Sequence, residues 1–83
     1  MNSSTSVEFR RQFTALTPAL QSRARKQYAL WLNDHRHPSL HFKRTGAYWS
    51  ARVDRDFRVL GVESAGTIIW FYIGPHDGYE KHL

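Results

Sequence analysis

The chain has no cysteine, one methionine, three prolines and five glycines among 83 residues. Without cysteine there are neither disulfides nor thiolate metal sites, and a reducing compartment suits the protein. Acidic side chains are scarce: 7 Asp and Glu stand against 12 Lys and Arg, a formal charge of +5. That excess favours an anionic partner such as nucleic acid, a ribosome or an acidic protein. Long apolar stretches are missing too. The longest run of β-branched and aromatic residues is the seven of 67–73, far short of a bilayer span, so no membrane contact is expected. Residues 1–6 lack a basic segment followed by an apolar one, so no signal peptide is expected and a cytoplasmic location is. What the chain has in quantity is aromatic residues, 12 in all, which supply large apolar surfaces to a small core. The length sets one domain over residues 1–83, with the polar residues 1–5 expected to be disordered.

The pattern divides the chain into a helical first half and a stranded second half, an α+β arrangement. Thr5 with Glu8 fits a capping box, and Phe9, Phe13 and Leu16 recur at helical spacing. Thr17-Pro18 is a second start signal, followed by Leu20, Ala24, Tyr28 and Trp31. Helices are therefore predicted at 6–15 and 18–33. After Pro38 the period changes to two. Leu40 and Phe42 alternate with His41 and Lys43, and Trp49, Ala51 and Val53 alternate with Tyr48, Ser50, Arg52 and Asp54. Turns at 54–56 and 64–66 separate two further strands, 57–63 and 67–73. The expectation is a helical hairpin packed on one face of a four-stranded antiparallel sheet. Its core should join Phe9, Phe13, Leu16, Leu20, Ala24, Tyr28 and Trp31 to Phe42, Trp49, Val59, Ile69 and Phe71.

The chemically capable residues gather at the end of the last strand. Gly74-Pro75 stops the run, and His76, Asp77 and Tyr79 follow, with Lys81 and His82 behind. The preceding strands and their turn carry Arg52, Arg55 and Arg58. An imidazole, a phenol and several guanidiniums in a small basic domain suggest work on a phosphodiester backbone. His76 brings an imidazole, the side-chain type best suited to proton transfer near neutral pH. Arg58 can bind two phosphate oxygens at once. Tyr79 suits proton donation or base stacking, and Arg52 adds charge. His41, Lys43 and Arg55 are candidates for RNA-backbone contacts. Each residue also has a structural reading: His76 capping a turn, Arg58 pairing with Asp54 or Asp56, Tyr79 lying on the core, Arg52 and the His41–Lys43 face merely solvated. His35 and His37 have no acidic or thiol partner at ligand spacing, so no metal site is expected.

Three stretches, residues 38–43, 48–61 and 70–79, resemble the RelE/ParE superfamily of bacterial type II toxin–antitoxin toxins. The most specific pieces are Phe57-Arg58 and Ile73-Gly74-Pro75-His76. Many members open with a strand, which the cap at Thr5 leaves short or missing here. The resemblance implies one of two activities. RelE-like members cut mRNA in the ribosomal A site without metal or cofactor, by attack of a ribose 2′-OH on the adjacent phosphate. ParE-like members bind and poison DNA gyrase. A non-toxic co-regulator of the same fold is a third reading. By the resemblance, Arg58 contacts the scissile phosphate, Arg52 occupies a basic strand position, and His76 stands where RelE has a further arginine. The RelE-like branch is favoured because a gyrase poison needs no proton-transfer group. The resemblance also implies a cognate antitoxin. With a toxin of +5, its C-terminal segment is expected to be acidic and amphipathic and to cross the sheet near Arg52, Arg58 and His76.

Overall fold

The computed structural model of the protein describes residues 2–81, with backbone only at 79 and 80. The elements run β1 (Asn2–Thr5), α1 (Val7–Thr14), α2 (Pro18–Asn33), a 3-10 turn (Pro38–Leu40), β2 (Lys43–Thr45), β3 (Tyr48–Arg52), β4 (Phe57–Ser64), β5 (Thr67–Pro75) and α3 (His76–Glu80). The sheet order is β1-β5-β4-β3-β2. β2 to β5 form the expected antiparallel meander. The sheet is nevertheless five-stranded and mixed, because β1 pairs in parallel with β5, from Asn2 opposite Thr67 to Thr5 opposite Trp70.

This start corrects two expectations. In place of disorder over 1–5, residues 2–5 form an edge strand. The ladder holds Thr5 extended, and the Ser6 N–H still donates to the Trp70 carbonyl at 2.9 Å. The helix cap is therefore Ser6 rather than Thr5, its Oγ accepting from the Phe9 N–H at 3.1 Å. Glu8 pairs with Arg11 instead of closing a capping box. α2 begins as predicted: Thr17 caps it by accepting from the Leu20 N–H at 3.2 Å, with Pro18 in the first turn. Gln21 on α2 donates to the carbonyls of Phe13, Thr14 and Leu16, satisfying groups that the end of α1 leaves open.

A bulge fixes which side of β5 faces the helices. Leu60 opposes Tyr72 but Gly61 opposes Trp70, so Phe71 is the extra residue. The Ile73 N–H bonds across the molecule to Gln12 Oε1 on α1, at 2.8 Å. Ile68 and Trp70 are accordingly buried with Trp31, Leu40 and Ala51, and Phe9, Leu30, Phe42, Trp49 and Val59 pack around them. Trp31 meets Phe42 and Trp70 edge-on at 5.6 Å, and Phe42 stacks on Trp49 at 4.6 Å. Ile69 and Phe71, expected in this core, lie in the opposite phase. Phe71 belongs instead to a second cluster with Tyr48, Leu60 and Tyr72. Tyr28 is 42% exposed, and the buried residues of α2 are Gln27 and Trp31. Gln27 is held there by donating to the Arg52 carbonyl at 3.0 Å.

Candidate active site

Cross-strand partners share a face of a sheet, and alternate residues change face. Ala51 and Val59 are paired and belong to the helix-side core. Arg52 and Arg58, also paired, therefore project from the other face. Continuing the row, Arg58 opposes Gly74. The next row on this face is Lys43, Ser50, Leu60 and Tyr72. Lys43 is thus a diagonal neighbour of Arg52, at about 7–8 Å between such positions. Three of the sequence-predicted cations share one face, away from the helices.

No ion pair among the described residues involves Lys43, Arg52 or Arg58. Two guanidiniums in directly opposed positions repel one another, so the pair favours the folded chain only if an anion sits between them. Arg58 does not form the hairpin ion pair that was its structural reading. Its Nη1 donates instead to the carbonyls of Asp54 at 2.6 Å, Phe57 at 3.0 Å and Arg55 at 3.2 Å. The Asp54 carboxylate is occupied otherwise, accepting from the Asp56 and Phe57 N–H groups at 2.9 Å each. One end of the guanidinium is thereby fixed to the β3–β4 turn with its charge retained.

His76 opens α3, two residues after Gly74. Its N–H donates to the Asp56 carbonyl at 2.8 Å, tying α3 to the turn that also holds Arg58. Tyr72 sits under this corner. A Cβ at Gly74 would stand 2.5 Å from the Tyr72 hydroxyl, and one at Gly78 would collide with it. A side chain at either position would force the phenol to shift. The hydroxyl donates to the Pro75 carbonyl at 3.1 Å, and burial raises its pKa above the usual tyrosine value. Tyr72 is therefore a post that positions α3 and His76. Sequence reading passed over it as one more aromatic of a strand. The spacing Tyr72-x-Gly74-x-x-x-Gly78 was the available signal.

The remaining candidates scatter. Arg55 lies at the hairpin tip, 87% exposed in its side chain and 3.8 Å from the Asp56 carboxylate. His41 does not share a strand face with Lys43: it ends the 3-10 turn with a left-handed φ of 46°. The turn forms because it buries Leu40, leaving β2 only three residues. The Tyr79 side chain and all of His82 lie outside the described residues. Among the described residues no three His, Asp or Glu side chains cluster as metal ligands, and no helix is long and apolar enough to cross a membrane.

The α+β fold of this chain is similar to that of solved RelE- and YafQ-type toxin structures. The RelE chain in a RelB–RelE antitoxin–toxin complex from Methanococcus jannaschii superposes with a TM-score of 0.72 at 12% identity, covering 95% of this chain and 96% of that one. YafQ from E. coli strain BL21(DE3) gives 0.70 at 13% identity, over 94% and 96%. The RelBE2 toxin–antitoxin complex from Mycobacterium tuberculosis gives 0.63 at 18% identity, over 90% and 96%. The sequence matches no family model and no curated protein.

Proposed function

We propose that this protein is a toxin that cuts ribosome-bound mRNA. The observation that carries the reading is the directly opposed pair Arg52–Arg58 on an open sheet face, with no carboxylate paired to either among the described residues. Two arginines directly opposed in the ladder suit a phosphodiester, whose oxygens can accept from both. In the reaction the 2′-oxygen forms a bond to phosphorus and gives up its proton. The bond from phosphorus to the 5′-oxygen breaks, and that oxygen takes a proton. A 2′,3′-cyclic phosphate and a 5′-hydroxyl result. Arg58 binds the scissile phosphate, Arg52 offsets the charge growing on it, and His76 transfers a proton. Tyr79 orients or stacks on a base, while Lys43 and, further out, Arg55 and His41 steer the backbone. The ribosome holds the 2′-OH in line, which a chain of 83 residues cannot do by enclosing the strand. The RelB–RelE complexes among the structural neighbours support an antitoxin partner. An acidic segment of it across Arg52, Arg58 and His76 would block the site.

The test is induction in cells, with 5′-end mapping of a translated mRNA beside a gyrase supercoiling assay. The expected result is new 5′-ends within the reading frame and unaffected supercoiling. His76→Ala should lower cleavage by roughly 10²–10⁴ while leaving the protein folded, as loss of a proton-transfer group does. Inhibited supercoiling with intact mRNA would replace this reading with gyrase poisoning.

A further inference from the structure

The helix-side face holds a cavity that the cleavage reading does not use. α1 packs on β5, while α2 bridges to the end of β3 through polar contacts: Arg23 to the Val53 carbonyl at 3.2 Å and Gln27 to the Arg52 carbonyl. Between hairpin and sheet a space of about 500 Å³ remains, open on one side. Well-packed interiors leave few voids larger than a water molecule, whereas ligand sites of small proteins have this size.

The lining specifies a chemistry. Phe9, Phe13, Tyr28, Trp31 and Trp70 give the wall an aromatic part beside its aliphatic residues. The indole N–H groups of Trp31 and Trp70 are buried and find no acceptor among the described residues. Such donors are normally satisfied. At the rim, Arg10 donates to the carbonyl and hydroxyl of Thr5, and Arg25 lies over the Phe13 ring at 5.0 Å. Neither is ion-paired among the described residues. α2 carries no acidic residue over its whole length. An apolar body would fill the space, and a negatively charged oxygen group would meet the arginines at its rim.

We propose that this cavity binds an amphiphilic carboxylate, an unbranched fatty acid of medium chain length, which braces the helical hairpin against the sheet. The proposal does not rest on the cleavage reading, although Arg52 borders the cavity as well as belonging to the Arg52–Arg58 pair.

The test titrates purified full-length protein with dodecanoate, below its micelle concentration, and follows tryptophan fluorescence, since two of the three indoles line the cavity. Saturable binding at one molecule per chain is expected, together with a raised melting temperature. Dodecyltrimethylammonium, with the same chain and opposite charge, should bind at least about tenfold more weakly, the worth of one charge-assisted contact. Arg25→Gln should narrow that difference. Ala24→Phe fills the cavity from the half-buried face of α2 and should abolish binding in a protein that melts no lower than the parent. Absent or unsaturable binding would overturn the proposal, as would equal affinity for the cationic amphiphile or undiminished binding by Ala24→Phe. Binding of an acidic amphipathic peptide but not of dodecanoate would likewise overturn it, and would assign the space to a protein segment.

Discussion

Arg52 shows how a single residue sets function against stability. Opposed to Arg58 on one face, it costs the free protein a repulsion that a phosphate would relieve. Arg52→Gln should therefore stabilise the free protein, by about 0.2–1 kcal/mol in urea denaturation, while lowering mRNA cleavage. A variant that is both less stable and fully active would remove Arg52 from the site. Tyr72 carries a pH signature. Burial favours its neutral phenol, so its folded pKa lies above the unfolded value of about 10. Its stabilising contribution is complete below pH ~10 and is lost as pH rises through the folded value, because the unfolded chain releases its proton first. Tyr72→Phe should flatten the fall of the urea midpoint above that pH. Parallel curves for both proteins would show that the phenol is not buried as described.

At the scale of elements, the meander and the second helix were legible and the edges were not. Thr17-Pro18 announced α2, and the alternation around Trp49, Ala51 and Val53 announced β3. β1 escaped notice because Asn2-Ser3-Ser4-Thr5 has no apolar pattern: an edge strand is held by backbone pairing with β5, which side-chain periodicity does not report. The phase of β5 escaped because the run is apolar on both faces, so one bulged residue at Phe71 moves the core from Ile69 to Ile68 and Trp70 without a trace in composition. The cations of the site were legible as residues, whereas their common face depended on register. α3 is the element most open to a clean test. Gly78→Ala puts a methyl against the Tyr72 hydroxyl and should lift α3, displacing His76. Cleavage should fall at least about tenfold, as misplacement of a catalytic group does, with the circular dichroism spectrum retained. Full activity in Gly78→Ala would mean that α3 does not set the position of His76.

The whole molecule is two-sided. One face of the sheet carries the helical hairpin and an apolar cavity, and the other carries Lys43, Arg52 and Arg58 with α3 at its end. Net charge favours an anionic partner, but only the sheet pairing concentrates cations on the face away from α1 and α2. Such a surface suits RNA that it does not enclose, and the proposed reading leaves the in-line geometry to the ribosome. The most direct measurement mixes purified protein with translating ribosomes programmed with one defined mRNA, and with the same mRNA free in solution, and maps the ends produced. Cutting of the ribosome-bound mRNA alone, leaving 2′,3′-cyclic phosphate and 5′-hydroxyl ends and lost in His76→Ala, is the predicted result. Equal cutting of the free RNA, or no cutting of either by a folded protein, would contradict it.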